Sequence, residues 1–277
     1  MKFLRWSIPV VFLALALLAC SLPGRSAPTP TAAPALPTDP PTPTLAPTPA
    51  PTATPSAPSS LDFSDQSETV TETNPPYELR LHYPRFEGDS AAAADLNRRV
   101  QEQVDSLRQG FAADAAVNEE WRLQNMPESG SSLDLSYTVA YNQRGLLSLR
   151  WDVGFYVAGA AHPNSYSLTL NYDLFTQQAI ALESLFQSGA PYLTELQSNC
   201  TDQLSPILSD MLFAEGLTPL PENYARWVFT PQGFEFTFDP YQVAPYAAGP
   251  QTVRVPYAQL QAHYRPESPL MRILTTP

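Results

Sequence analysis

Between residues 77 and 83 the apolar positions fall on every second residue: Tyr77, Leu79, Leu81 and Tyr83 alternate with Glu78, Arg80 and His82. A period of two predicts a half-buried strand. Behind Asp89 or Ser90, either of which suits a helix N-cap, the spacing lengthens. Leu96, Val100, Val104, Leu107 and Phe111 form one helical stripe, with arginine and glutamine opposite. Alternation returns at Leu133, Leu135, Tyr137, Val139 and Tyr141, breaks over 142–145, and resumes at Leu147, Leu149, Trp151, Val153 and Phe155, which predicts a hairpin. Tyr166, Leu168, Leu170 and Tyr172 predict a further long strand. A helix follows over roughly 191–213, which Pro206 must end or kink, because proline lacks the donor and clashes with the preceding turn. Residues 227–229, 234–238 and 252–255 read as short strands, and 256–264 as a last small helix. Hairpin-linked strands with two main helices set between them predict an α+β fold, a mostly antiparallel sheet packed with those helices.

The amino-terminal part of the chain has a different character. Lys2 and Arg5 precede an apolar run over 8–18, about half the roughly twenty residues needed to span a bilayer, so the run reads as the core of a signal peptide. It closes on Leu17, Leu18, Ala19 and Cys20. From Ala27 to Ser60, 28 of 34 residues are proline, threonine or alanine, so neither helix nor sheet ladder can form there and a disordered, extended stalk is expected. Folding is therefore left to the chain from Leu61 onward. The whole sequence is 43% hydrophobic and 11% aromatic, which leaves that part enough apolar residues for a buried core.

Charge narrows the partners. The net charge of −12 becomes about −14 without Lys2 and Arg5, a balance that repels phosphate backbones and disfavours nucleic acid while suiting a basic protein. Lys2 is the sole lysine, so every cation of the mature chain is an arginine and Schiff-base chemistry has no amine to use. His82, His162 and His263 lie far apart with no metal-ligand spacing, which argues against a metal site or other cofactor. No nucleophile elbow, phosphate-binding glycine loop or dinucleotide fingerprint occurs. Cys200 sits on the apolar stripe of the 191–213 helix with no partner once Cys20 is modified, and reads as a buried, inert thiol. Carboxylates such as Glu119, Glu120 and Asp239 could flank a glycosidic bond, or could simply be solvated charge.

Several motifs have a familiar ring. Leu-Leu-Ala-Cys resembles the bacterial lipobox, which implies cleavage before Cys20, lipidation of its sulfur and a mature chain held in the bilayer by several acyl chains; an ordinary secretory signal is the alternative. Residues 161–164 (Ala-His-Pro-Asn), 182–186 (Leu-Glu-Ser-Leu-Phe), 229–234 (Phe-Thr-Pro-Gln-Gly-Phe), 238–241 (Phe-Asp-Pro-Tyr) and 243–250 (Val-Ala-Pro-Tyr-Ala-Ala-Gly-Pro) resemble the extracytoplasmic domain of unknown function shared by the lysozyme-sensing anti-sigma factor RsiV and the peptidoglycan deacetylase PdaC. The likeness divides the chain into a signal peptide (1–19), a lipidated linker (20–60), an N-terminal α+β subdomain (61–157), an RsiV/PdaC-type domain (158–265) and a tail (266–277). It implies an envelope-facing binding module, not an enzyme, with lysozyme or cell-wall glycan as the expected partner. The sigma-binding segment and membrane helix of the one relative, and the metal-dependent catalytic domain of the other, are expected to have no counterpart here. His162, Pro163, Asn164, Tyr241, Pro245, Tyr246, Gly249 and Pro250 are the candidate recognition residues. For the 241–250 loop a purely structural turn competes with that role, since Gly249 frees the backbone, the prolines stiffen it and the tyrosines could bury their rings. A wall hydrolase or a structural envelope lipoprotein stays open as an alternative function.

Overall fold

The computed structural model of the chain describes residues 58–117 and 119–275. The leader, Cys20 and nearly all of the linker lie outside them. Strands β1 (Phe63–Thr73) and β2 (Pro76–Phe86) form an antiparallel hairpin. Helix α1 (Ala91–Val117) then carries the chain across the sheet so that β3 (Ser131–Gln143) runs parallel to β2. Such a parallel pair requires a crossover connection, and α1 supplies it. Strands β4 (Leu146–Tyr156), β5 (Asn164–Asp173) and the short β6 (Gln178–Ala179) extend the sheet antiparallel, in the order β1-β2-β3-β4-β5-β6. The β3–β4 turn places Arg144 and Gly145 at φ 56° and 72°, the two positive angles that a tight hairpin of this twist demands.

Helix α1 forms where the spacing predicts. Ser90 Oγ accepts the Ala93 N–H at 3.1 Å, capping the first turn. Leu96, Val100, Val104, Leu107 and Phe111 are buried against Leu79, Leu81, Leu133, Leu135, Leu149 and Val153 of the sheet. Asn97 locks helix to strand by bonding both the N–H and the C=O of Phe86 at 2.8 Å.

A second layer covers the other face of β4 and β5. Helix α3 (Tyr192–Leu208) and an antiparallel sheet of β7 (Trp227–Phe229), β8 (Gly233–Phe238) and β9 (Gln251–Pro256) enclose a core of Leu196, Cys200, Leu204, Phe229, Phe234 and Phe236. The seam between the two sheets is polar yet closed to water. Ser148 Oγ bonds Asn171 Oδ1 at 2.5 Å and accepts the Phe229 N–H at 2.9 Å, while Asn171 Nδ2 donates to the Trp227 carbonyl at 2.8 Å. Ser148 is 0% and Asn171 4% exposed. Every seam dipole here has a partner, which such burial requires. Strand β4, which ends at Tyr156, and β5, which begins at Asn164, pair along their length within the first sheet.

The α+β expectation with a mostly antiparallel sheet matches this architecture. Three local features differ. Strand β1 has only Phe63 and Val70 as large apolar side chains among eleven residues and gives no alternation to read. Helix α3 ends at Leu208 and not near Phe213, two residues past Pro206, and Ser209 turns the chain at φ 51°. The last helix predicted over 256–264 is a 3-10 helix, Tyr257–His263, and a further short helix, α4 (Met271–Leu274), follows it. Arg144 donates to the carbonyls of Arg272 and Ile273 at 3.1 and 2.7 Å, tying α4 to the β3–β4 turn. Among the described residues no helix is long and apolar enough to cross a membrane.

Candidate functional site

Two loops far apart in sequence meet at the end of the β4–β5 hairpin. The first, between β4 and β5, carries His162 and Pro163; the second, between β8 and β9, carries Tyr241 and Tyr246. The Tyr246 hydroxyl donates to the Pro163 carbonyl at 2.6 Å, and its ring lies 4.1 Å from that of His162, centroid to centroid, at 31°. Tyr241 stacks on Tyr246 at 5.7 Å and 29°, with its hydroxyl 3.3 Å from His162 Nε2. His162 Nδ1 lies 2.7 Å from the Pro163 carbonyl. A carbonyl can only accept, so in this arrangement Nδ1 carries a proton, and the Tyr241 hydroxyl bonds the other ring nitrogen. The result is a bonded cluster of three rings at the surface, with Tyr241 54% exposed and His162 exposed as well.

The loop that presents the tyrosines is held by its middle. Val243 and Ala244 are buried, the Phe213 N–H donates to the Val243 carbonyl at 2.8 Å, and the Gln242 side chain donates to the carbonyls of Asn223 and Gly216 at 3.0 and 3.3 Å. Tyr241 itself sits at φ 71°, a region that non-glycine residues enter at a cost. Pro245 precedes the 3-10 turn Tyr246–Ala248, Gly249 closes it at φ 69°, and exposed Pro250 leads into β9. Asn164 opens β5 opposite Phe155. Of the eight residues nominated from sequence, His162, Pro163, Tyr241 and Tyr246 are therefore brought into contact; Asn164, Pro245, Gly249 and Pro250 frame them.

Beside the rings runs a chain of alternating charge. Asp239 pairs with Arg226 at 2.7 Å and accepts the Ser167 N–H at 2.9 Å; burial pushes its carboxyl up, and Ser167 and Arg226 oppose that shift. The Ser167 hydroxyl donates to Asp152 at 3.0 Å. Asp152 pairs with Arg150, and Arg150 and Arg254 both pair with Glu235. Glu119, on helix α2 (Glu119–Asn125), is held by a bidentate contact from Arg122 at 2.7 and 2.9 Å, and that hydrogen bonding lowers its pKa. Of the three carboxylates singled out from sequence, Glu119 and Asp239 thus face an arginine, while Glu120 is exposed. His82 is exposed on β2, His263 lies 3.9 Å from Glu195, and Cys200 is fully buried, its thiol pushed up to about 12 by that burial. Among the described residues no three His, Cys, Asp or Glu side chains converge as a metal site would need.

Gly216 escaped sequence reasoning, although the loop depends on it. A Cβ there would stand 1.9 Å from the Gln242 carbonyl oxygen, so only glycine lets the 3-10 turn Ala214–Leu217 lie against the ring-bearing loop.

Residues 70–165 match the family described as Deacetylase PdaC, and residues 183–258 match the Protein of unknown function (DUF3298) family. The peptidoglycan-N-acetylmuramic acid deacetylase PdaC of Bacillus subtilis (strain 168) is 24% identical over 191 residues, which cover 68% of this chain and 39% of that protein. The chain therefore corresponds to well under half the length of that relative. Solved structures of DUF3298-family proteins from Bacteroides fragilis and Pseudomonas aeruginosa superpose with TM-scores of 0.56 and 0.50, each at 17% identity and each over 76% of this chain, covering 95% and 96% of the respective partner. At that identity they speak for the fold alone. His162 falls in the first matched segment and Tyr241 and Tyr246 in the second, so the ring cluster is made jointly by the two. Together the two matches support a PdaC-related domain of unknown function.

Proposed function

We propose that this chain is a lipid-tethered binding module of the bacterial envelope that takes peptidoglycan glycan on its ring cluster and acts by contact, without catalysis. The observation that carries the reading is the cluster of His162 and Tyr241, both exposed, with the half-buried Tyr246, braced from beneath. A merely structural loop would turn such rings inward and would not hold Tyr241 in a strained backbone region. A pyranose has an apolar C–H face bordered by hydroxyls, which matches ring faces bordered by the Tyr241 hydroxyl and the imidazole. The B. subtilis relative is named for chemistry on a peptidoglycan amino sugar, which favours the same ligand class. Asp239 and Glu119 are each engaged by an arginine, an arrangement suited to structure more than to acid–base work on a substrate.

The tether rests on Cys20 after Leu17, Leu18 and Ala19. Two or more acyl chains anchor stably where one is marginal. An extended proline-rich linker of this length reaches on the order of 100 Å at about 3.1 Å per residue, enough to carry the head into the wall. A second reading, favoured by the net charge of −12 and by the likeness to RsiV, is capture of a basic lysozyme.

Calorimetric titration with soluble peptidoglycan fragments, with mass spectrometry of the same mixture, tests the proposal. Saturable binding without product is expected, and Tyr246→Ala should weaken it by about tenfold or more, the cost of truncating an aromatic anchor. Turnover of the fragments, or binding indifferent to Tyr246, refutes it. Titration against lysozyme separates the second reading.

A further inference from the structure

The ring cluster has a neighbour along the same loop. Helix α2 places Trp121 against Gly159, three residues before His162: a Cβ on Gly159 would stand 2.8 Å from the indole ring. Gly159 also holds φ 95°, so both its angle and its bareness serve this contact. Trp121 is nonetheless 48% exposed. The loop beneath it is fixed, because the buried Ala158 donates its N–H to Ser131 Oγ at 3.0 Å and Ala160 donates to the Val157 carbonyl at 2.9 Å.

Helix α2 has an anchor besides Trp121. Arg122, 5% exposed, pairs with Glu119 and donates to the carbonyls of Met126, Pro127 and Ser129, so one guanidinium closes the helix onto the approach to β3. A seven-residue helix clamped by a buried arginine, while its tryptophan faces outward, is a rigid mount for an exposed indole.

We infer that Trp121 is a second stacking position on the same ridge as Tyr241 and Tyr246, so that the site takes a glycan chain and not a single sugar. This rests on the glycan reading of the ring cluster. Three residues of backbone separate Gly159 from His162, a span of at most about 10 Å, so the loop keeps the indole and the rings around His162 near enough for one oligosaccharide to reach both. The ridge is drawn from both matched segments, so a chain lying along it would contact each of them.

The tryptophans make the test direct. Trp6 lies in the leader, while Trp151 and Trp227 are each 3% exposed, so Trp121 is the exposed indole among the described residues. The detergent-solubilised full chain is titrated with N-acetylglucosamine oligomers of two and six units, following tryptophan fluorescence and heat. The hexamer should shift the emission, and Trp121→Phe should abolish the shift while keeping most of the binding. Trp121→Ala should weaken the hexamer by about tenfold and leave the dimer unchanged, whereas Tyr246→Ala should weaken both. Hexamer affinity unmoved by Trp121→Ala, with Tyr246→Ala still weakening both ligands, overturns this inference and leaves the ring cluster as the site. Equal weakening of dimer and hexamer by Trp121→Ala overturns it too. Tyr246→Ala without effect, or no saturable binding of either oligomer, removes the glycan reading itself. Lysozyme binding lost in Trp121→Ala while both oligomers are unaffected would make the indole a protein contact, which also overturns the inference.

Discussion

Alanine at Gly216 should displace the ring-bearing loop without touching any ring. The new methyl would lie 1.9 Å from the Gln242 carbonyl oxygen and 2.6 Å from its carbon, whereas real Cβ contacts stay beyond 3.0 Å, so backbone must move by about 1 Å. Neither side yields freely, because Val243 and Ala244 are buried and the Phe213 N–H and the Gln242 side chain bridge the two segments. Overpacking of this kind costs about 1–3 kcal/mol. Weakening two hydrogen bonds adds roughly 0.5–1.5 kcal/mol for each. A total near 3 kcal/mol lowers Tm by roughly 6–12 °C in a domain of this size. Denaturant unfolding of Gly216→Ala beside Gly110→Ala measures it. Gly110 is an exposed position in α1 with open space around it, so alanine there should stabilise by about 0.5–1 kcal/mol. In the Gly216 variant the peptidoglycan affinity should fall as well, since Tyr241 is next to the displaced carbonyl. Wild-type stability and binding in Gly216→Ala would show that the loop is not braced as described.

Ser148→Ala should cost about 1–3 kcal/mol in urea unfolding, because the Phe229 N–H and the Asn171 side chain both lose a partner in a closed seam. Burial works to raise the Asp95 carboxyl, but hydrogen bonds from Arg99, Arg98 and Tyr172 outweigh it and hold the group well below the usual range. Its contribution to stability is thus present above the ordinary carboxyl pKa of about 4 and lost as the pH falls toward the folded value, so Asp95→Asn should be less stable at pH 7 and show a flatter acid limb. Cys200, its thiol pushed up to about 12, should resist iodoacetamide at pH 8 in the folded chain and react in urea, as read by peptide mapping. Cys20→Ala should move the protein out of the membrane fraction; retention there would count against the lipid tether.

Periodicity exposed most of this fold, and each exception has its own physical cause. The stripe on α1 and the alternation of β3 to β5 are legible because one face of each meets an apolar core. Strand β1 is hidden because it is a largely solvated edge with little to bury. The elements of the second layer are legible, but its docking onto β4 and β5 is not: Ser148, Ser167 and Asn171 read as the wet side of their strands, and here they meet other dipoles out of water. Four of the recognition candidates do meet, but residues 79 to 84 positions apart give no local sign of it. Trp121 left no signal because a lone aromatic in a charged, polar stretch has no pattern to join.

Strand β5 spans Asn164–Asp173, and most of it lies in the gap between the two segments that match known families. It nevertheless pairs with β4 on one side and feeds Asn171 and Ser167 to the other layer. Neither half could be lent to another protein intact without it. Shuffling of these halves should therefore occur only as a joined cassette, with the intervening stretch inherited as strictly as the parts it connects.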